Sequence, residues 1–134
     1  MASPVAESSE FVIAELTGTF YAVSVSLVQE IEPLKELTTV PGAPSVVVGI
    51  TNVRGQVRAV LDARVILKQP PALSEAPPRG YMLLTEIDGT VYGILFDSVA
   101  EVLNVEGRAI KEGKIETPRG HLPVIDDAII GTTL

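Results

Sequence analysis

A single histidine, His121, is the one imidazole this chain offers for acid–base or metal chemistry, and with no cysteine anywhere, thiolate metal sites, disulfides and cysteine nucleophiles are excluded. A Ser-His-Asp triad would have to rest on His121 alone, yet no Gly-x-Ser-x-Gly elbow occurs, and its neighbours place it at the start of a strand. It reads as an ordinary histidine. Residues 107–114 imitate a phosphate loop, but five residues instead of four separate Gly107 from Gly113, and Ile115 stands where the Mg²⁺-binding hydroxyl belongs. The segment follows a strand and opens no long helix, so it is expected to be a plain turn.

Two carboxylate pairs remain. Glu30 and Glu32 are two apart, which on a strand turns both side chains the same way, an arrangement suited to acid–base or metal work only inside a cleft. Asp126 and Asp127 are adjacent, and Asp126 reads as a helix cap. Arg54 has the most pointed position: in GITNVRG, residues 49–55, an apolar strand runs into a turn, where a fixed guanidinium can meet a carboxylate through two hydrogen bonds. The plainer reading is a turn arginine that solvates its own loop. Nothing in this inventory argues for an enzyme or a cofactor.

The elements that must position these residues are strands. Apolar stretches are short, rich in Val and Ile, and closed by Gly, Pro or Asp, predicting strands over residues 10–16, 19–23, 29–34, 49–53, 57–61, 80–87, 90–96, 99–105 and 121–125. Thr17-Gly18 and Asp88-Gly89 join alternating runs as tight hairpins. Helices can only be single turns, near residues 26–28 and 43–47 and after Asp62 and Asp126. Residues 69–79, with four prolines, read as an exposed connector, and residues 1–9 as a small polar tail without the basic and apolar regions of a leader. No apolar run approaches the roughly 18 residues of a membrane span. Net charge is −7, with acids spread along the chain, which disfavours a phosphate-binding surface.

Sliding the chain against itself reveals a repeat. Residues 11–31 lie on residues 82–102 without a gap, matching Glu15 to Glu86, Gly18 to Gly89, Thr19 to Thr90, Tyr21 to Tyr92, Val28 to Val99 and Glu30 to Glu101. Arg54-Gly55 then recurs as Arg119-Gly120, and residues 59–62 as 123–126. Four or five short strands per half are too few for a sandwich and enough for a small barrel, so two barrels sharing an apolar seam are expected, with a groove along it.

Residues 49–64, GITNVRGQVRAVLDAR, resemble the segment G-V-x-N-L-R-G-x-V-x-P-V-x-D-L-R of CheW-like domains. VQEI at 28–31 is similar to the family's V-x-E-I, PGAP at 41–44 to its x-P-x-x-P, and YGILFDSVAEVLNV at 92–105 to its G-L-x-V-D-x-V-x-E-V-L; the likeness runs in order from about residue 11 to 130. It implies an all-β fold of two pseudo-repeated five-stranded SH3-like barrels in one domain, residues 10–134. Barrel one is expected over 17–70, and barrel two over 80–130 with strand 10–16 added. It also implies a non-catalytic cytoplasmic adaptor of chemotaxis signal transduction, without cofactor or metal. Its partners would be the regulatory domain of a CheA-type histidine kinase, through barrel-to-barrel contacts, and the cytoplasmic helical tip of a chemoreceptor, in the groove. By position, Val28, Glu30, Ile31 and Arg54 would contact the receptor over an apolar floor of Val46, Val48 and Val53. The alternative is the same module diverted to pilus or gliding motility or polar localisation, with one partner surface lost. Ala59 and Ala63 depart from the family's Pro and Leu, and Arg58 adds a charge. The stretch between Val105 and His121 is short and shows no clear strand, which predicts a reduced or open second barrel.

Overall fold

In the computed structural model, residues 8–70, 78–106, 110–111, 113–125 and 129–131 are described. Strands β1 (Ser8–Leu16), β2 (Thr19–Ser24), β3 (Val28–Pro33), β4 (Val47–Val53), β5 (Gln56–Asp62), β6 (Tyr81–Ile87), β7 (Thr90–Phe96), β8 (Ser98–Glu106), β9 (Ile110–Lys111), β10 (Lys114–Thr117) and β11 (Gly120–Ile125) dominate it. Every strand expected from alternation is present, and the chain is all-β as predicted. Two strands were not expected: β9 and β10 occupy the stretch read as strandless. They are short, and the four residues of β10, KIET, bury only Ile115 between charges, too little alternation to register.

Asp62 starts α1 (Ala63–Ile66), its carboxylate accepting a hydrogen bond from the Arg64 N–H at 2.9 Å. A 3₁₀ turn covers Val25–Leu27. The turn expected at 43–47 is no helix but a single hydrogen-bonded bend, Val47 N–H to Pro44 C=O at 2.9 Å. Pro41 and Pro44 have no N–H of their own to donate, and Val46 to Val48 favour the strand that follows. Of the helical turn expected after Asp126, residues 129–131 are helical while its start lies outside the described residues, as do most of the connector and residues 107–109 and 112 of the loop at 107–114.

The strands form two sheets, ordered β3-β6-β7-β5-β4 and β8-β1-β2-β11-β10-β9. Neither sheet coincides with a half of the sequence, so the expected division at residues 17–70 and 80–130 is corrected: β2 sits with β1, and β6 and β7 sit with β3 to β5. The third strand of each repeat crosses over, β3 to pair with β6 and β8 to pair with β1. The exchange is reciprocal and keeps the repeat's register. Glu30 lies opposite Leu84 and Val28 opposite Thr85, while Glu101 lies opposite Ile13 and Val99 opposite Ala14, with one extra residue bulging between each pair, Gln29 and Ala100. Likewise Val60 pairs with Gly93 and Leu61 with Ile94 in parallel, as Val124 pairs with Ala22 and Ile125 with Val23.

This arrangement makes three apolar clusters. Phe11, Ile13, Ala22 and Ile115 fill the six-stranded unit, and Val60, Met82, Leu84 and Leu95 fill the five-stranded one. Between the units lies the largest cluster, in which Val12, Leu16 and Val23 from one repeat meet their counterparts Leu83, Ile87 and Ile94 from the other. Alternation explains this split, because successive side chains of β1 and β6 face the unit's interior and the seam in turn.

Candidate functional site

Arg54 and Gly55 form the two-residue loop between β4 and β5, with φ of 50° and 84°. Both residues of such a turn need positive φ to match the twist of the strands. For Gly55 this is free, whereas for an arginine it costs about 1 kcal/mol. Asn52 holds the loop by accepting a hydrogen bond from the Gly55 N–H at 2.8 Å.

From that tip the guanidinium reaches across to β3, where its Nη2 donates to Glu30 Oε2 and its Nη1 lies 3.4 Å from Glu32 Oε1. β3 and β4 are the opposite ends of the five-stranded sheet, so this bridge draws together two edges that do not pair with each other. Lower down, the chain between them folds along β4: Thr38 and Ile50 exchange backbone hydrogen bonds, and Thr51 Oγ1 donates to the Glu36 carbonyl at 2.5 Å. Gly49 permits that approach, since a Cβ there would stand 2.5 Å from the Thr38 carbonyl oxygen.

Two open recesses flank the bridge, and Val53 and Arg54 line both. One, of about 400 Å³, is walled by Glu32, Glu36, Thr51 and Asn52 with Met82 at its base. The other, of about 190 Å³, is walled by Gln29, Glu30, Gln56 and Arg58 with Leu84 and Val91. The hydrogen bond from Arg54 holds the Glu30 carboxyl below its ordinary value; desolvation opposes it, and the charges of Arg54 and Arg58 add to the lowering. The same hydrogen bond raises Arg54. Both are solvent-exposed, and the pair stays ionised at neutral pH.

The residues singled out from the sequence separate into three places. Glu30 and Arg54 form the bridge. Val48 and Val53 pack against the interior of the five-stranded unit. Val28, Ile31 and Val46 belong to the seam, where Val28 and Ile31 are partly buried and Val46 is only 6% exposed, so Val46 is a core residue rather than a surface one. Glu32 completes the bridge and was recognised only as facing the same way as Glu30.

The other unit repeats the device. Arg119, in the turn between β10 and β11, donates from Nε to Glu101 on β8 at 2.8 Å and lies over the Phe20 ring, 4.5 Å from its centroid. These are the repeat's counterparts of Arg54 and Glu30. Leu103 occupies the place of Glu32, so here a cation–π contact takes over from the second carboxylate. The recurring Arg-Gly and the Glu30–Glu101 match were the signal for this pair, but nothing local showed that the two elements meet.

Of the remaining candidates, His121 is exposed on β11 opposite Glu116, Gly113 and Lys114 lead into a strand rather than a helix, and Asp126 and Asp127 lie outside the described residues. Among the described residues no cluster of three or more His, Asp or Glu could hold a metal ion, and no helix is long and apolar enough to cross a membrane.

The model of the CheW-like domain matches residues 10–130 of the chain. A chemotaxis protein CheW of Rhizobium meliloti is 31% identical over 91 residues, 68% of this chain and 57% of that protein. One of Klebsiella aerogenes is 28% identical over 102 residues, 76% of this chain and 60% of that protein. The chain thus spans less than two thirds of the length of these curated relatives. The crystal structure of the scaffolding protein TtCheW from Thermoanaerobacter tengcongensis superposes with a TM-score of 0.76 at 22% identity, covering 94% of this chain and 86% of that one, which shows a shared fold of two SH3-like β units.

Proposed function

The chain belongs to the CheW-like domain family, and on that premise we propose that it is a non-catalytic adaptor coupling chemoreceptors to a CheA-type histidine kinase in bacterial chemotaxis. The observation that carries this reading is the Arg54 bridge: a turn arginine held in positive φ, tied to Glu30 and Glu32, at the rim of open recesses within the segment most like the family's. A charged clasp beside half-buried Val28 and Ile31 offers a polar rim and an apolar bed, the anatomy of a protein-binding surface. A helical receptor tip would lie along the seam, with Val28, Glu30, Ile31 and Arg54 in contact and Val46, Val48 and Val53 supporting them. The kinase regulatory domain would dock on the outer face of a unit, and both partners place the adaptor in the cytoplasm.

Calorimetric titration of Arg54→Ala tests the assignment. The variant is expected to bind a receptor cytoplasmic fragment about tenfold more weakly, the worth of one charge-assisted hydrogen bond, and to bind the kinase regulatory domain as wild type does. Equal weakening toward both partners, or toward neither, contradicts it.

A further inference from the structure

We propose that Arg119, in the β10–β11 turn of the six-stranded unit, is a second docking point, one that takes the carboxylate of an Asp or Glu side chain from a protein partner. This goes beyond the adaptor reading and does not depend on what occupies the Arg54 side.

The same device is built twice, and the two copies differ in what they leave unused. At Arg54 both Nη atoms face glutamates of the chain itself, Glu30 and Glu32. At Arg119 only Nε is engaged, by Glu101, because Leu103 stands where the second carboxylate would be. The N–H groups on Nη1 and Nη2 of Arg119 donate no hydrogen bond to any described residue. They form the outer edge of the guanidinium, whose two parallel N–H groups match the two oxygens of a carboxylate.

The fork is held in place on its other sides. Its central carbon lies over the Phe20 ring, 4.5 Å from the centroid, and its Nε edge is tied to Glu101 at 2.8 Å. Thr117 fixes the turn, accepting from the Arg119 N–H at 3.0 Å and donating to the Gly120 carbonyl at 2.9 Å. A guanidinium ordered in advance loses less side-chain freedom when a ligand arrives. Phe20 and Leu103, both partly buried against the interior of the unit, and exposed Pro118 supply apolar surface beside it.

Charge favours an acidic occupant. Glu101 only balances Arg119, so an incoming carboxylate meets no excess of anions like the two glutamates at Arg54. The surrounding segment agrees in sign, since residues 107–121 contain four basic residues against two acidic ones in a chain whose net charge is −7. A single fork, already half balanced, suits one carboxylate better than a doubly charged phosphate.

The test titrates the isotope-labelled full chain with three blocked hexapeptides, of glutamate, glutamine and lysine, at constant ionic strength. NMR follows the Arg119 Nε–H resonance and the Phe20 and Gly120 amides. The expected result is saturable shifts with the glutamate peptide alone, while the Arg54 Nε–H resonance stays unmoved. Arg119→Lys, an exposed substitution that keeps the charge but not the fork, is expected to weaken that binding about tenfold, read at the Phe20 and Gly120 amides. An equal response to the glutamine or lysine peptide, shifts centred on Arg54, no saturable response at all, or undiminished binding by Arg119→Lys would each overturn the proposal.

Discussion

Arg54 illustrates how a residue can be conspicuous in sequence while its surroundings are not. Its place where an apolar strand meets a Gly turn was legible, and so was the common direction of Glu30 and Glu32. Their meeting was not, because it depends on the two ends of a sheet, β3 and β4, curling toward each other, and no local spacing encodes that. The ion pair has a measurable signature. Glu30 titrates below its unfolded-state value in the folded protein, so its contribution to stability is present above the unfolded value and is lost as pH falls through the folded one. Replacing Arg54 by Ala removes the main cause. The Glu30 carboxyl resonance of Arg54→Ala, followed by NMR, is therefore expected to titrate at higher pH than in wild type; an unmoved midpoint would show that the pair is not formed in solution.

Among the elements, those bounded by strong turn chemistry were read correctly. Thr17-Gly18 and Asp88-Gly89 both adopt positive φ at each residue, and the strands on either side alternate cleanly between interior and seam. β9 and β10 escaped notice because a strand that buries one side chain leaves almost no period, and the turn at 43–47 was overread because short polar and apolar residues fit a helical turn as well as a bend. β10 is nonetheless structural. Ile115 is fully buried beside Phe11 and Leu122, so Ile115→Ala is expected to lower unfolding free energy by about 2–4 kcal/mol in chemical denaturation, as for other large-to-small core changes. A loss below about 0.5 kcal/mol, typical of surface positions, would mean that β10 is not part of the core.

At the scale of the molecule, the repeat was legible but the exchange of its third strands was not: a duplication predicts two similar units without saying which strands each unit holds. The exchange binds the halves together, since each sheet takes strands from both, and polar ties reinforce the crossing. Asp97, between β7 and β8, accepts from the Thr17 N–H at 2.8 Å and from Arg64 Nη2 at 3.0 Å, and its own N–H donates to the Glu15 carbonyl at 3.0 Å. Asp97→Ala leaves the Thr17 N–H and the Arg64 guanidinium without that acceptor, and is expected to cost about 1–3 kcal/mol. Calorimetry should still show one cooperative transition at lower temperature; two separate transitions would mean that the units unfold independently. On the proposed reading, this joined architecture would let one small chain present its seam and an outer face to different partners at once. The most direct measurement is size-exclusion chromatography of the kinase regulatory domain and a receptor cytoplasmic fragment, with and without this chain. Co-elution of all three only when the chain is present is the predicted result, and two partners that never share a peak with it would contradict the adaptor.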